Sequence, residues 1–126
     1  MREKIDSGIN KAEEFYDDAV LLIENNRFTS ATTRAYYSMF KIVQVLLLSQ
    51  NLFTKTHKGL QIKFQEHFIK PQIFDRRYSR ILISAYELRQ LSDYDNAIEI
   101  SEEDAHALLK DARELIDTIK KHLARK

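Results

Sequence analysis

The sequence contains no cysteine, which excludes disulfides, thiolate nucleophiles and cysteine-ligated zinc, and suits a cytoplasmic setting. Only two glycines and one proline occur in 126 residues, too few turn formers for the many hairpins of a sheet protein. Neither Gly8 nor Gly59 has a glycine nearby, so a phosphate-cradling loop of the Walker or Rossmann kind is ruled out. No apolar run approaches the roughly 18–20 residues that a membrane span needs. The opening MREKIDSGINK is charged where a signal peptide is apolar, so the expectation is a soluble, cytoplasmic protein away from membranes. Neither sign of charge prevails, since the formal net charge is +1, and any attraction for nucleic acid has to be local. No two of His57, His67, His106 and His122 are three or four residues apart, the spacing that aims two imidazoles at one ion, so no metal and no cofactor is expected.

What is present is helical periodicity. The length suits a single domain over residues 1–126, and the expected architecture is all-α, an up-and-down bundle of four long helices plus a shorter one. The most apolar stretch is Thr29 to Gln50, read as a central helix with Thr29 or Ser30 as its cap. Its buried face comprises Ala31, Ala35, Met39, Ile42, Val43, Leu46 and Leu47, widened by Tyr36 and Phe40. An amphipathic helix from Glu3 to Asn25 precedes it, with Asn25-Asn26-Arg27 as the turn. A third helix is expected over His57 to Lys70, stopped by Pro71, with Leu60, Ile62, Phe64, Phe68 and Ile69 as apolar members. A fourth runs from about Phe74 to Tyr94, and a fifth follows the Ser101-Glu102-Glu103-Asp104 cap.

Two polar strips interrupt these core-facing helices. On the central helix Ser30, Arg34, Tyr37, Lys41 and Gln44 fall in line, and on the fourth helix Leu82, Tyr86, Arg89 and Asp93 do the same. Cations on such a strip need water, a counter-charge or a ligand. One reading pairs Arg89 with Asp93 as an i,i+4 ion pair, and pairs Arg34 and Lys41 with Asp93 and Asp95 inside the bundle. The other has Arg89, always protonated, holding a phosphate while Asp93 or Tyr94 positions or exchanges a proton, with Arg34, Tyr37 and Lys41 lining the ligand site.

Three separated segments bear on that choice: Ser30 to Phe40, containing RAYYSMF; Lys55 to Leu60, KTHKGL; and Arg89 to Asp95, RQLSDYD. Together, and in this order, they resemble the HEPN family of small prokaryotic helical-bundle proteins over nearly the whole chain. The resemblance implies a homodimer with a cleft at its interface that binds a nucleotide or RNA. It also implies a toxin component paired with a small nucleotidyltransferase, and metal-independent ribonuclease activity. The family's catalytic signature is an arginine followed four to six residues later by a histidine. Arg89 fits the arginine, but Tyr94, Asp95 and Asn96 stand near where the histidine belongs. His57, at the start of the third helix, is the candidate for an imidazole brought from elsewhere in the cleft, against a local hydrogen bond there. By the same resemblance Tyr94 is a candidate target for nucleotide transfer by the partner enzyme. The alternative is a non-catalytic nucleotide-binding or partner-docking module. For the dimer face the candidates are the first helix, Tyr78 and Tyr86.

Overall fold

A computed structural model describes residues 1–95 and 97–125, so Asn96, named above, lies outside the described residues. The apolar periodicity becomes helices α1 (Arg2–Glu24), α2 (Phe28–Leu48), α3 (His57–Phe64), α4 (Arg76–Tyr94) and α5 (Glu102–Ala124), with no strand among the described residues. Four are long and α3 is short, as the sequence pattern predicts for an all-α bundle. α2 packs against each of the other four, which is why its apolar residues cover most of its circumference. Ala31, Ala35, Met39, Ile42, Val43, Leu46 and Leu47 are all fully buried. Thr32 and Ser38 are buried among them, but their hydroxyls donate to the carbonyls of Thr29 (2.7 Å) and Ala35 (2.6 Å), so neither hydroxyl goes unmet.

Asparagines end the first two helices by one device. Asn26 and Asn51 take left-handed backbone angles, φ 60° and 59°, which asparagine tolerates better than most residues. The Arg27 N–H then bonds the Leu22 carbonyl at 2.8 Å, and the Leu52 N–H bonds that of Leu47 at 2.9 Å, which satisfies carbonyls the helix leaves open. At the other end of α2 the expected cap is absent. The helix begins at Phe28, and Thr29 Oγ1 instead accepts from the Ile100 N–H at 3.2 Å, tying the α4–α5 connector to the head of α2. Ser101 does cap α5, accepting from the Asp104 N–H at 3.1 Å.

The third helix departs from its expected form. Regular α geometry stops at Phe64, and Gln65–Ile69 forms a wider π turn before the chain leaves at Lys70. Phe64, Phe68 and Phe74 meet there, with ring centroids 5.8 to 6.2 Å apart, and close one end of the core. Ile62 faces outward instead of joining them. Two surface clamps hold the long helices together: Arg77 on α4 grips both carboxylate oxygens of Glu114 on α5 at 2.5 Å, and Arg113 on α5 bonds Glu13 on α1.

α1 lies close on α2 because residue 8 has no side chain. A Cβ at Gly8 would stand 2.3 Å from Cγ2 of Val45. No helix among the described residues is long and apolar enough to cross a membrane.

Candidate functional site

Arg89 lies in the last turns of α4, where its position on the polar strip turns it toward α2. The guanidinium carbon stands 5.0 Å from the centre of the Tyr37 ring and 5.8 Å from that of Tyr36, so the charge rests on two aromatic faces. Nε is 3.4 Å from Asp93 Oδ2, a charge contact that does not reach hydrogen-bonding geometry, and it is buried without a hydrogen-bond acceptor. Asp93 itself is half exposed, which makes its hold on Arg89 weak and easily exchanged. An arginine held over two tyrosine rings, with donor capacity left over, can take an incoming oxyanion.

His57 enters the same cluster from the first turn of α3. Its Nδ1 is 2.5 Å from the hydroxyl of Tyr36, a residue 21 positions earlier, so its partner is a side chain of α2 and not a local backbone group. The imidazole is stacked on Tyr86 with centroids 5.2 Å apart and tilted against Phe40 at 4.8 Å. Burial within these rings, reinforced by the Arg89 charge, holds the His57 pKa below its ordinary 6.5. Burial also pushes the Tyr36 phenol well above the usual tyrosine range, so the pair is a neutral imidazole against a protonated phenol. Two tautomers satisfy it: the phenol donates to Nδ1, or Nδ1–H donates to the phenol oxygen and leaves the Nε2 lone pair free.

The lowered His57 pKa has a measurable sign. Unfolded His57 takes up a proton near pH 6.5, whereas the folded protein resists until lower pH. Across that interval the unfolded state binds more protons, so this stabilisation is present above pH 6.5 and is lost as pH falls through the folded-state value. Melting temperatures measured between about pH 8 and pH 5 are expected to drop less in His57→Gln than in the wild-type chain. Parallel curves would show that the imidazole is not held neutral.

The remaining predicted residues divide. Tyr37 joins the cluster, and Phe15 of α1 lies against it at 5.9 Å, with exposed Arg34 over the outer side of Phe15 at 5.9 Å. Arg34 is thus linked to Arg89 through two rings. Lys41, one turn further along α2, donates to Gln44 at 2.8 Å and lines a groove between α1 and the α2–α3 loop. Neither cation pairs with Asp93 or Asp95, so the internal ion-pair network of the structural reading does not form. Tyr94 is 86% exposed, the most exposed large hydrophobic side chain of α4. Tyr78 and Tyr86, expected on the surface, are instead half-buried: Tyr78 packs between α4 and α5, and Tyr86 is a wall of the His57 cage. Sequence spacing alone did not point to Tyr36 as the residue joining His57 to Arg89. Its position on the core face of α2 concealed a hydroxyl that needs a partner. Among the described residues no three histidine, aspartate or glutamate side chains converge as a metal's ligands would.

Comparison with known proteins adds a family to this geometry. The HEPN domain matches residues 6–123. A protein of Methanocaldococcus jannaschii named "Putative toxin" is 36% identical over 98% of this chain and 91% of its own length. A second protein of that organism, under the same name, is 34% identical over 99% of this chain and 85% of its own. A UPF0332 protein of Thermotoga maritima is 32% identical over 88% of this chain and 84% of its own.

Proposed function

Because the chain belongs to the HEPN domain family, we propose that it is a toxin-type RNA-binding protein that cleaves RNA without a metal, using Arg89 on the phosphate and His57 as the base. The observation that supports this reading is the approach of a neutral imidazole to Arg89 across the Tyr36 ring. Family members carry the imidazole a few residues after the arginine. Here it comes from α3, and Tyr36 stands between the two.

The chemistry follows from those groups. With Nδ1–H donating to the Tyr36 oxygen, Nε2 accepts the proton of a ribose 2′-hydroxyl. The freed oxygen forms a bond to the adjacent phosphorus, the bond to the 5′-oxygen breaks, and that oxygen leaves with a proton from water. Arg89 neutralises the negative charge that builds on the phosphoryl oxygens, where a preorganised donor has its largest effect. Asp93 is the counter-ion that a phosphate displaces, and Arg34, Tyr37 and Lys41 extend the contact along α2. Tyr94, almost wholly in solvent, on this reading meets a partner or the RNA and does not move a proton within the cluster. On this reading the protein works as a homodimer, which brings two such clusters to one cleft, and its partner is a small nucleotidyltransferase.

The test is cleavage of a mixed RNA pool in EDTA by the wild-type chain and by His57→Gln. The variant is expected to lose about 10²–10⁴-fold in kcat while binding RNA as before. RNA bound but uncleaved by the wild-type chain would replace this reading with the binding-module one. Asp93→Asn supplies a check on the role of the carboxylate. Freed of its competitor, Arg89 should hold RNA at least as tightly as before, with a stability change of only about 0.2–1 kcal/mol. A large loss of cleavage with unchanged binding would make Asp93 part of the reaction.

A further inference from the structure

The groove that receives Lys41 lies outside the Arg89 cluster, and its chemistry is of two kinds. Its floor is apolar, formed by Val45 and Leu52, and at its edge stands Phe53, whose ring is 68% exposed although most large apolar side chains of the protein are covered. Around the rim stand Lys4 of α1, Lys41 of α2 and Lys55 of the α2–α3 loop. Among the described residues none of these three lysines has a carboxylate within ion-pair distance, whereas Lys11 on the same helix as Lys4 pairs with Glu14 at 3.7 Å. The groove encloses about 380 Å³, within the range of small-ligand sites.

We infer that this groove is a subsite for a nucleotide of single-stranded RNA, its base stacked on Phe53 and its phosphate held by Lys4, Lys41 and Lys55. An exposed aromatic face beside unpaired cations is the combination that takes a base and its backbone together without reading sequence. The ligand is an anion, because three ammonium groups with no carboxylate in ion-pair contact line the groove and disfavour a cation. Its phosphate sits toward Lys55, since the adjoining depression on the other side of Lys4 and Lys41 carries Glu3, Asp6 and Glu14. From Tyr37, against which Arg89 rests, to Lys41 is one turn of α2, about 6 Å along the axis. A strand with one phosphate on Arg89 therefore reaches the groove with a neighbouring nucleotide. The subsite rests on the RNA-binding reading of Arg89 and adds to it a direction for the strand.

The experiment is fluorescence anisotropy with a short, end-labelled single-stranded RNA, titrated into the wild-type chain, Phe53→Ala, the double variant Lys4→Glu/Lys55→Glu, and Arg89→Ala. Circular dichroism checks each fold; all three groove side chains are exposed. Both groove variants are expected to weaken binding about tenfold or more, and the lysine variant to flatten the salt dependence of affinity. Wild-type affinity in both groove variants, together with loss in Arg89→Ala, overturns the subsite and leaves the Arg89 reading intact. Loss in the groove variants with none in Arg89→Ala keeps the subsite and removes Arg89 from the RNA contact. No binding by the wild-type chain overturns both.

Discussion

Arg89→Ala is expected to reduce RNA cleavage by about 10²–10³-fold, the size of effect seen when one preorganised donor to a developing oxyanion is removed. The bundle should remain folded. What the substitution takes away is contact with two tyrosine faces and a charge contact with a half-exposed Asp93. Those contribute about 0.5–2 kcal/mol per ring for a guanidinium only 20% exposed, and the ion pair contributes little. Against this loss, the truncation also removes a buried Nε that has no acceptor. An arginine whose partner were a buried acid would behave in the opposite way, leaving an uncompensated charge that costs about 3–5 kcal/mol. The two cases separate cleanly when melting and cleavage are measured on the same preparation. Arg89→Lys should recover little activity, because an ammonium cannot present the planar pair of donors that a phosphate takes from guanidinium. Unchanged cleavage in a folded Arg89→Ala protein would remove Arg89 from the chemistry altogether.

The largest effect on stability is expected at Phe64. It is fully buried, with the rings of Phe68 and Phe74 each 6.2 Å away. Phe64→Ala should cost about 3–5 kcal/mol, transfer and cavity together. A domain of this size has about 5–15 kcal/mol in all, so the loss is a large part of it and corresponds to a fall in melting temperature of roughly 10–20 °C. The contrast is Phe53→Ala, which deletes the same ring from a solvent-facing site and should stay within about 0.5 kcal/mol. Urea melts of the two variants provide the comparison, with equal slopes expected so that the midpoints report stability. A Phe64→Ala midpoint close to that of wild type would mean that the end of the bundle is held by its clamps and not by the aromatic cluster.

Helical spacing made the buried face of α2 legible in the sequence, because a residue that must face a neighbour every turn leaves a repeat whatever the neighbour is. The bounds of α1, α2 and α5 fell within a few residues of expectation for the same reason. Spacing says nothing about which residue lies opposite. Arg34 and Arg89 occupy matching strips, yet each rests on a different ring, and Tyr37 and Phe15 stand between them. His57 could be placed at the head of a helix, but its bond to Tyr36 joins positions 21 apart through the packing of α3 on α2. The π turn at Gln65–Ile69 left no mark either, since a change in helical pitch over five residues lies below what a repeat can resolve. Tyr78 and Tyr86 were misplaced because a tyrosine at the edge of a face can turn its ring inward and still offer its hydroxyl to water or a neighbour.

The empty position at Gly8 works as a keyway. Shift α1 along α2 by one turn in either direction and Lys4 or Ala12 comes to face Val45, and each carries the Cβ for which there is no room. The two helices therefore mesh at a single setting, like a shaft that enters its hub one way. That setting decides that Phe15 arrives beside Tyr37 and that Lys4 arrives beside Lys41. The alignment of every group that α1 contributes along this seam is dictated by a side chain the protein does without.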